Sequence, residues 1–310
     1  MKQDIKKLIK SIIILSSTFI IIDAFIGYIT EVSIKRLPDY GNELCATNFR
    51  LNRVKTDVII VGSSRARHHY YTSILADSVN AYLGTNYSFY NAGINGQFVD
   101  CNACTVESIL NRYKPKLIIF DTNTKEYTTS KSQKRLSRYE PFYKTNTIVK
   151  DYLDRMGWKE IIKVQLNLYK FNSKALNILG GLILHNNPND GYFPLYQIMK
   201  NTDSKNGKTD SLIKSNDFSV KSFDKMLSSC NDLNIRIIVA SSPRYKPNGD
   251  NELIHSICDK YNTPYIELYN NDFFNNHPEL FYNKSHLNND GAIIYTKMFF
   301  VEAKPYLKGL

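Results

Sequence analysis

Two short, uninterrupted apolar runs, 58–61 and 117–120, and a third at 235–240 broken only by Arg236, set the frame of this chain. None of them alternates polar with apolar positions, so none reads as a strand with one wet face. The pattern is that of strands covered on both sides. Shorter strand patterns stand at 87–91 and 265–268. Between the strands, apolar positions recur at helical spacing over 70–82, 101–113, 220–233, 252–261 and 290–306. Strand alternating with helix predicts an α/β fold, a three-layer doubly wound parallel sheet.

The third and fourth strands are separated by an insertion, 127–216, far longer than a crossover needs. It holds a basic segment at 131–138, helical patterns at 148–153 and 158–169, and the apolar stretch Gly180-Gly181-Leu182-Ile183-Leu184. Asn189-Asp190-Gly191 then has the chemistry of a turn, followed by Tyr192-Phe193-Pro194. An insertion at the carboxyl edge of such a sheet is expected to cap the site beneath it.

At the amino terminus, residues 11–29 carry a single charge, Asp23. At about 1.5 Å per residue the stretch reaches roughly 28 Å, enough to cross the hydrocarbon core of a bilayer. No small-x-small site follows it, which favours a retained anchor over a cleaved signal peptide. Ile12–Ile14 and Ile20–Ile22 cover every face of a helix, unlike a one-sided core helix. Lys2, Lys6, Lys7 and Lys10 precede the stretch and only Lys35 and Arg36 follow closely, so the basic end is expected inside and the rest outside. Asp23 should sit near the outer interface or against a partner helix. The division expected is an anchor at 1–30, a polar linker with a short helix at 31–56, and an α/β domain at 57–310.

Two blocks at opposite ends of that domain carry candidate chemistry. The first strand run breaks at Gly62-Ser63-Ser64-Arg65, and Ser285-His286-Leu287-Asn288 leads into the last helix. A Ser at the end of strand one and a His before the final helix meet at one edge of a parallel sheet, as nucleophilic acyl chemistry requires. Read alone, Ser64 is a helix N-cap. Arg65, Arg67, His68 and His69 follow it, as ligands for an anionic substrate or as a solvated helix start.

Together with Asn91-Ala92-Gly93-Ile94-Asn95-Gly96, these blocks resemble the SGNH (GDSL-like) hydrolase superfamily, in particular its membrane-anchored bacterial members linked to cell-envelope acyl transfer. The resemblance covers roughly 55–125 and 220–305. It implies a flavodoxin-like sheet, Ser64 as nucleophile, His286 as general base, and an oxyanion held by the backbone N–H groups of Ser64 and Gly96. It also implies an esterase or O-acyltransferase acting on an acylated saccharide or lipid-linked sugar, with a membrane-bound acyltransferase as partner. Two positions depart from the pattern. Asn283 stands where the triad has Asp, and Thr122-Asn123-Thr124-Lys125 replaces Gly-x-Asn-Asp, so the oxyanion amide is either Asn123, two positions early, or absent. Asp290 or Glu279 is available to supply the missing acid. A membrane-tethered binding or assembly protein that keeps the fold without the chemistry is the alternative.

Composition changes this picture little. A formal net charge of +11 suits an anionic envelope surface, and no nucleic-acid motif accompanies it. The five cysteines form no disulfide framework, and Cys101-Asn102-Ala103-Cys104 reads as packing, or as a local disulfide if the domain is exported. His185, His255 and His277 lack metal-ligand spacing, and no cofactor motif is present.

Overall fold

A computed structural model describes residues 2–127, 130–184, 189–200, 217–247 and 249–310. In chain order its first helices are α1 (Lys2–Lys35), α2 (Glu43–Asn52), α3 (Ser64–His69), α4 (Thr72–Leu83) and α5 (Val99–Leu110). Next come α6 (Ser130–Arg135), α7 (Thr147–Asp154), α8 (Trp158–Gln165), α9 (Asn167–Phe171) and α10 (Ala175–Ile183). The last are α11 (Asp217–Asp232), α12 (Glu252–Lys260), α13 (Asp272–Asn276) and α14 (Asn289–Leu307). The strands are β1 (Val58–Gly62), β2 (Phe89–Asn91), β3 (Leu117–Asp121), β4 (Arg236–Ser241), β5 (Tyr265–Glu267), β6 (Phe281–Asn283) and β7 (His286–Leu287). Two compact units divide the chain: Met1–Phe49 with Arg138–Asn187, and Arg50–Ser137 with Pro188–Leu310.

The larger unit is the expected α/β fold. Its five strands pair in parallel in the order β2-β1-β3-β4-β5. The chain leaves β1 for β2 on one side and later crosses to β3 on the other, so a crevice opens at the carboxyl ends of β1 and β3. On one face Val58, Ile60, Leu117, Ile119 and Ile238 pack with Leu75 and Val79 of α4 and Tyr295 and Phe299 of α14. Toward the other face Phe120 of β3 stacks on Phe223 of α11 at 5.7 Å. Central strands buried on both sides explain why the runs read as unbroken apolar sequence.

Every residue of α5 is buried, so its polar side chains need internal partners. Ser219 Oγ donates to Asp100 at 2.9 Å, and Lys225 pairs with Glu107 at 2.8 Å. Cys101 and Cys104 are free, buried thiols on this helix, and burial pushes the Cys104 thiol well up. Both are packed inside the unit.

Among the described residues, one helix of the smaller unit is long and apolar enough to cross a membrane, α1. Ile12, Ile13 and Ile14 are all exposed, and burial begins only at Asp23, Gly27 and Ile34, a single stripe. Asp23 does not face empty space: it accepts from the backbone N–H of Asn167 (3.1 Å) and Leu168 (2.8 Å) and from the Asn167 amide (2.9 Å). Those donors are the first N–H groups of α9, which no intrahelical acceptor serves. The helix expected over 158–169 is therefore two, with Leu166 extended between them.

Gly62 shows how tightly β1 ends. A Cβ there would lie 2.7 Å from both Ala66 Cβ and the Asp121 carbonyl. Gly62→Ala should lower stability by about 1–3 kcal/mol, the usual penalty for overpacking. A fall in the urea midpoint of the full chain at constant slope checks this, whereas an unchanged midpoint would mean that the strand end has room.

Candidate active site

The turn at Gly62 gives the first half of the site. Ser63 is the N-cap of α3, with extended backbone and no capping bond from its side chain. Its hydroxyl donates to Glu126 Oε1 at 3.2 Å. Ser64 is the first helical residue, so its N–H has no intrahelical acceptor. Its Oγ lies 2.7 Å from Nε2 of His286. The cap reading belongs to Ser63's position, and the Ser64 hydroxyl is turned to the histidine.

The second half comes from the antiparallel pair β6–β7. Asn283 Oδ1 accepts from the backbone N–H of Ser285 (2.8 Å) and His286 (3.1 Å), and stands 3.0 Å from His286 Nδ1. Two backbone donors identify that atom as the amide oxygen, so Nδ1 carries the ring proton and donates. Nε2 is left with a lone pair, and Ser64 donates to it. Deeper in, His69 Nε2 accepts the Leu287 N–H at 3.0 Å, which makes His69 Nδ1 a donor to Ser242 Oγ, also at 3.0 Å. His69 thus fixes the backbone next to His286.

Among the described residues no carboxylate is within hydrogen-bond reach of the His286 ring. Glu279 pairs with His277 at 2.7 Å, and Asp290 is exposed in the first turn of α14. Burial, followed by the positive charges of His68, Arg65 and Arg244, pushes the His286 pKa down to about 4. The imidazole is neutral at physiological pH.

Arg65, His68 and His69 do not form the solvated helix start that their sequence suggests; all three are buried. Arg65 pairs with Asp121, the last residue of β3, at 3.4 Å. Asp121 also accepts from Tyr70 Oη at 3.0 Å and the Ser242 N–H at 3.1 Å. Glu126 lies in the same pocket of charge, and burial carries its pKa up to about 8 despite Arg65. Asn123 is brought to Ser63 through this residue: its Nδ2 donates to Glu126 Oε1 at 3.1 Å, while its Oδ1 accepts the Lys125 N–H. Arg67 stays half-buried, its guanidinium 3.8 Å from the centre of the Phe193 ring.

Gly96 sits in a turn with φ +66°, a conformation that favours glycine. The loop before it is pinned to the turn that carries Ser64. Asn91 Nδ2 donates to the Ala66 carbonyl at 2.8 Å, Ile94 N–H donates to Gly62 at 3.2 Å, and a Cβ on Gly93 would meet Arg67 N at 2.5 Å. Of the expected cap, residues 189–200 border the site. Phe193 O contacts His68 Nδ1 at 2.6 Å, its N–H donates to Arg67 O, and Tyr192 stacks on Tyr71 at 4.5 Å. Residues 201–216 and His185 lie outside the described residues.

Asp121 and Glu126 were not legible as site residues, and His69, expected as a substrate ligand or a solvated residue, instead bonds the Leu287 backbone and Ser242. The available signal was a carboxylate closing an otherwise apolar strand, since a buried charge requires a partner.

No protein-family model matches the chain, and no curated protein matches it. Among solved structures, a gut microbial diltiazem-metabolizing enzyme is similar at 11% identity and TM-score 0.42, over 80% of this chain and 46% of its own. A two-domain esterase active on acetylated mannans is similar at 13% identity and TM-score 0.40, over 82% of this chain and 49% of its own. The chain spans about half the length of each. An esterase mutant is similar at 12% identity and TM-score 0.36, over 84% and 99% of the two chains. The functional reading therefore rests on the site itself.

Following the ring protons of His286 by NMR should give a midpoint near pH 4. In Asn283→Asp the midpoint should rise, because a carboxylate at Nδ1 favours the imidazolium. A native midpoint near the unperturbed value of about 6.5 would contradict the electrostatics described.

Proposed function

We propose that the chain is a membrane-anchored serine esterase or O-acyltransferase of SGNH type, with Ser64 as nucleophile and His286 as base. The observation that supports this reading is the 2.7 Å contact between Ser64 Oγ and His286 Nε2, with the tautomer set by Asn283. Ser64 Oγ attacks the ester carbonyl as its proton passes to Nε2. The developing oxyanion is met by the N–H of Ser64, at the start of α3, and by the N–H of Gly96, which has no partner among the described residues. His286 then returns the proton to the departing alkoxide, leaving the acyl group on Ser64. In the second half His286 takes a proton from water or from a sugar hydroxyl, which accepts the acyl group and frees Ser64.

Asn283 orients the ring but gives the imidazolium only a dipole. In the serine-protease template an Asp-to-Asn exchange lowers turnover by roughly 10⁴ by setting the wrong tautomer. Here the tautomer is the productive one and only the charge is missing, so a slow enzyme with a smaller loss than that is expected. An acylated envelope saccharide is the substrate class, in keeping with the +11 charge and with α1 as a membrane anchor whose basic end stays inside. A membrane-bound acyltransferase is the partner this assignment calls for. The His286 pKa of about 4, low for a general base, favours a second reading in which the fold is kept for binding alone.

Hydrolysis of p-nitrophenyl acetate separates the two. The esterase reading expects turnover that Ser64→Ala abolishes, and a gain of less than about 10⁴-fold in Asn283→Asp. Equal background rates in native, Ser64→Ala and Asn283→Asp proteins would favour the binding protein.

A further inference from the structure

The helices α8–α10 of the smaller unit expose an apolar surface that water does not suit. Trp158 and Ile162 lie one turn apart on α8, Leu166 is exposed just beyond its end, and Leu176, Leu179 and Ile183 project from α10. Leu176 is 83% exposed and Trp158 66%. On α8 the charge is drawn aside, Glu160 pairing with Lys163 at 2.7 Å. Large apolar side chains left this exposed on neighbouring elements point to a contact with lipid or protein.

What covers it follows from where it is attached. Asp23 holds the first N–H groups of α9, and Gly27 gives Asn167 its room, since a Cβ there would come within 2.5 Å of the Asn167 side chain. Asp23 lies six residues before Ile29, the end of the apolar stretch of α1. At 1.5 Å per residue that is about 9 Å inside the bilayer boundary. That is the depth at which interfacial helices lie, about 5–10 Å into the boundary between headgroups and acyl chains. An Asp at that level is tolerated where helix-end donors satisfy it. Between α1 and α9–α10 an open apolar groove of about 340 Å³ runs past Ile26, Ile29, Leu168, Phe171, Ile178 and Leu182.

We infer that α8–α10 are seated in the bilayer beside α1, on the side where the rest of the chain lies, with Trp158 at headgroup level and the groove filled by lipid acyl chain. The inference rests on α1 spanning the membrane and is independent of the chemistry at Ser64.

Trp158 is the only tryptophan of the chain, so its fluorescence reports on this surface alone. The full chain would be reconstituted in phosphatidylcholine vesicles carrying bromine near the headgroup end or near the methyl end of the acyl chains. Most of the emission should be lost to the shallow bromines, less to the deep ones, and little to aqueous iodide. Protein that floats with the vesicles but is quenched by iodide and not by bromine would overturn the inference while leaving the α1 anchor standing. Emission shielded from both quenchers would overturn it in favour of a protein partner. Failure to float would remove the anchor and the inference together.

Discussion

A single buried carboxylate, Asp121 at the end of β3, organises the region around Ser64 and His286. Its partners are Arg65 from α3, Tyr70 just beyond that helix, and the backbone of Ser242 after β4. From Ser242 the contacts run through its hydroxyl to His69, from His69 to the N–H of Leu287, and along the backbone to His286. His286 meets Ser64, whose neighbour Arg65 returns to Asp121. The circuit is closed. Ser64 and His286, 222 positions apart in sequence, are held within one hydrogen bond because each flank is tied to the same carboxylate. Removing one partner from a buried pair of this kind typically costs about 3–5 kcal/mol, because the other charge is stranded.

The same circuit explains the electrostatics of His286. Asp121 is committed to Arg65, and Glu126, with its pKa near 8, is largely uncharged at neutral pH. What His286 experiences is burial and positive charge, with only the Asn283 amide on Nδ1. Such an imidazole stays unprotonated far into the acid range and has little affinity for a proton. On the proposed serine mechanism that combination suits slow acyl chemistry that persists at low pH.

Much of this was legible in the sequence, for physical reasons that differ by residue. The runs at 58–61 and 117–120 announce strands because burial on both faces removes the polar alternation. Asn283 and His286 are readable as neighbours because their contact is local, within one turn. Ser64 joins them by the rule that places sites at the carboxyl edge where strand order reverses. The rest depends on distant partners. Arg65 looks like a solvated helix residue until Asp121, 56 positions away, is seen beneath it. The break at Leu166 comes from Asp23 claiming the N–H groups of Asn167 and Leu168, a contact spanning 144 positions. Strand β2 is shorter than its 87–91 pattern because Asn80 takes the N–H of Tyr87 and Asp57 takes that of Ser88.

The most direct test of the Ser64–His286 assignment is the rate at which a fluorophosphonate modifies the protein as a function of pH. The assignment predicts one adduct, on Ser64, with a rate that holds through mildly acidic pH and falls only near the His286 midpoint of about 4. No adduct on Ser64 at any pH, or a rate already lost near pH 6.5 as for an unperturbed imidazole, would contradict it.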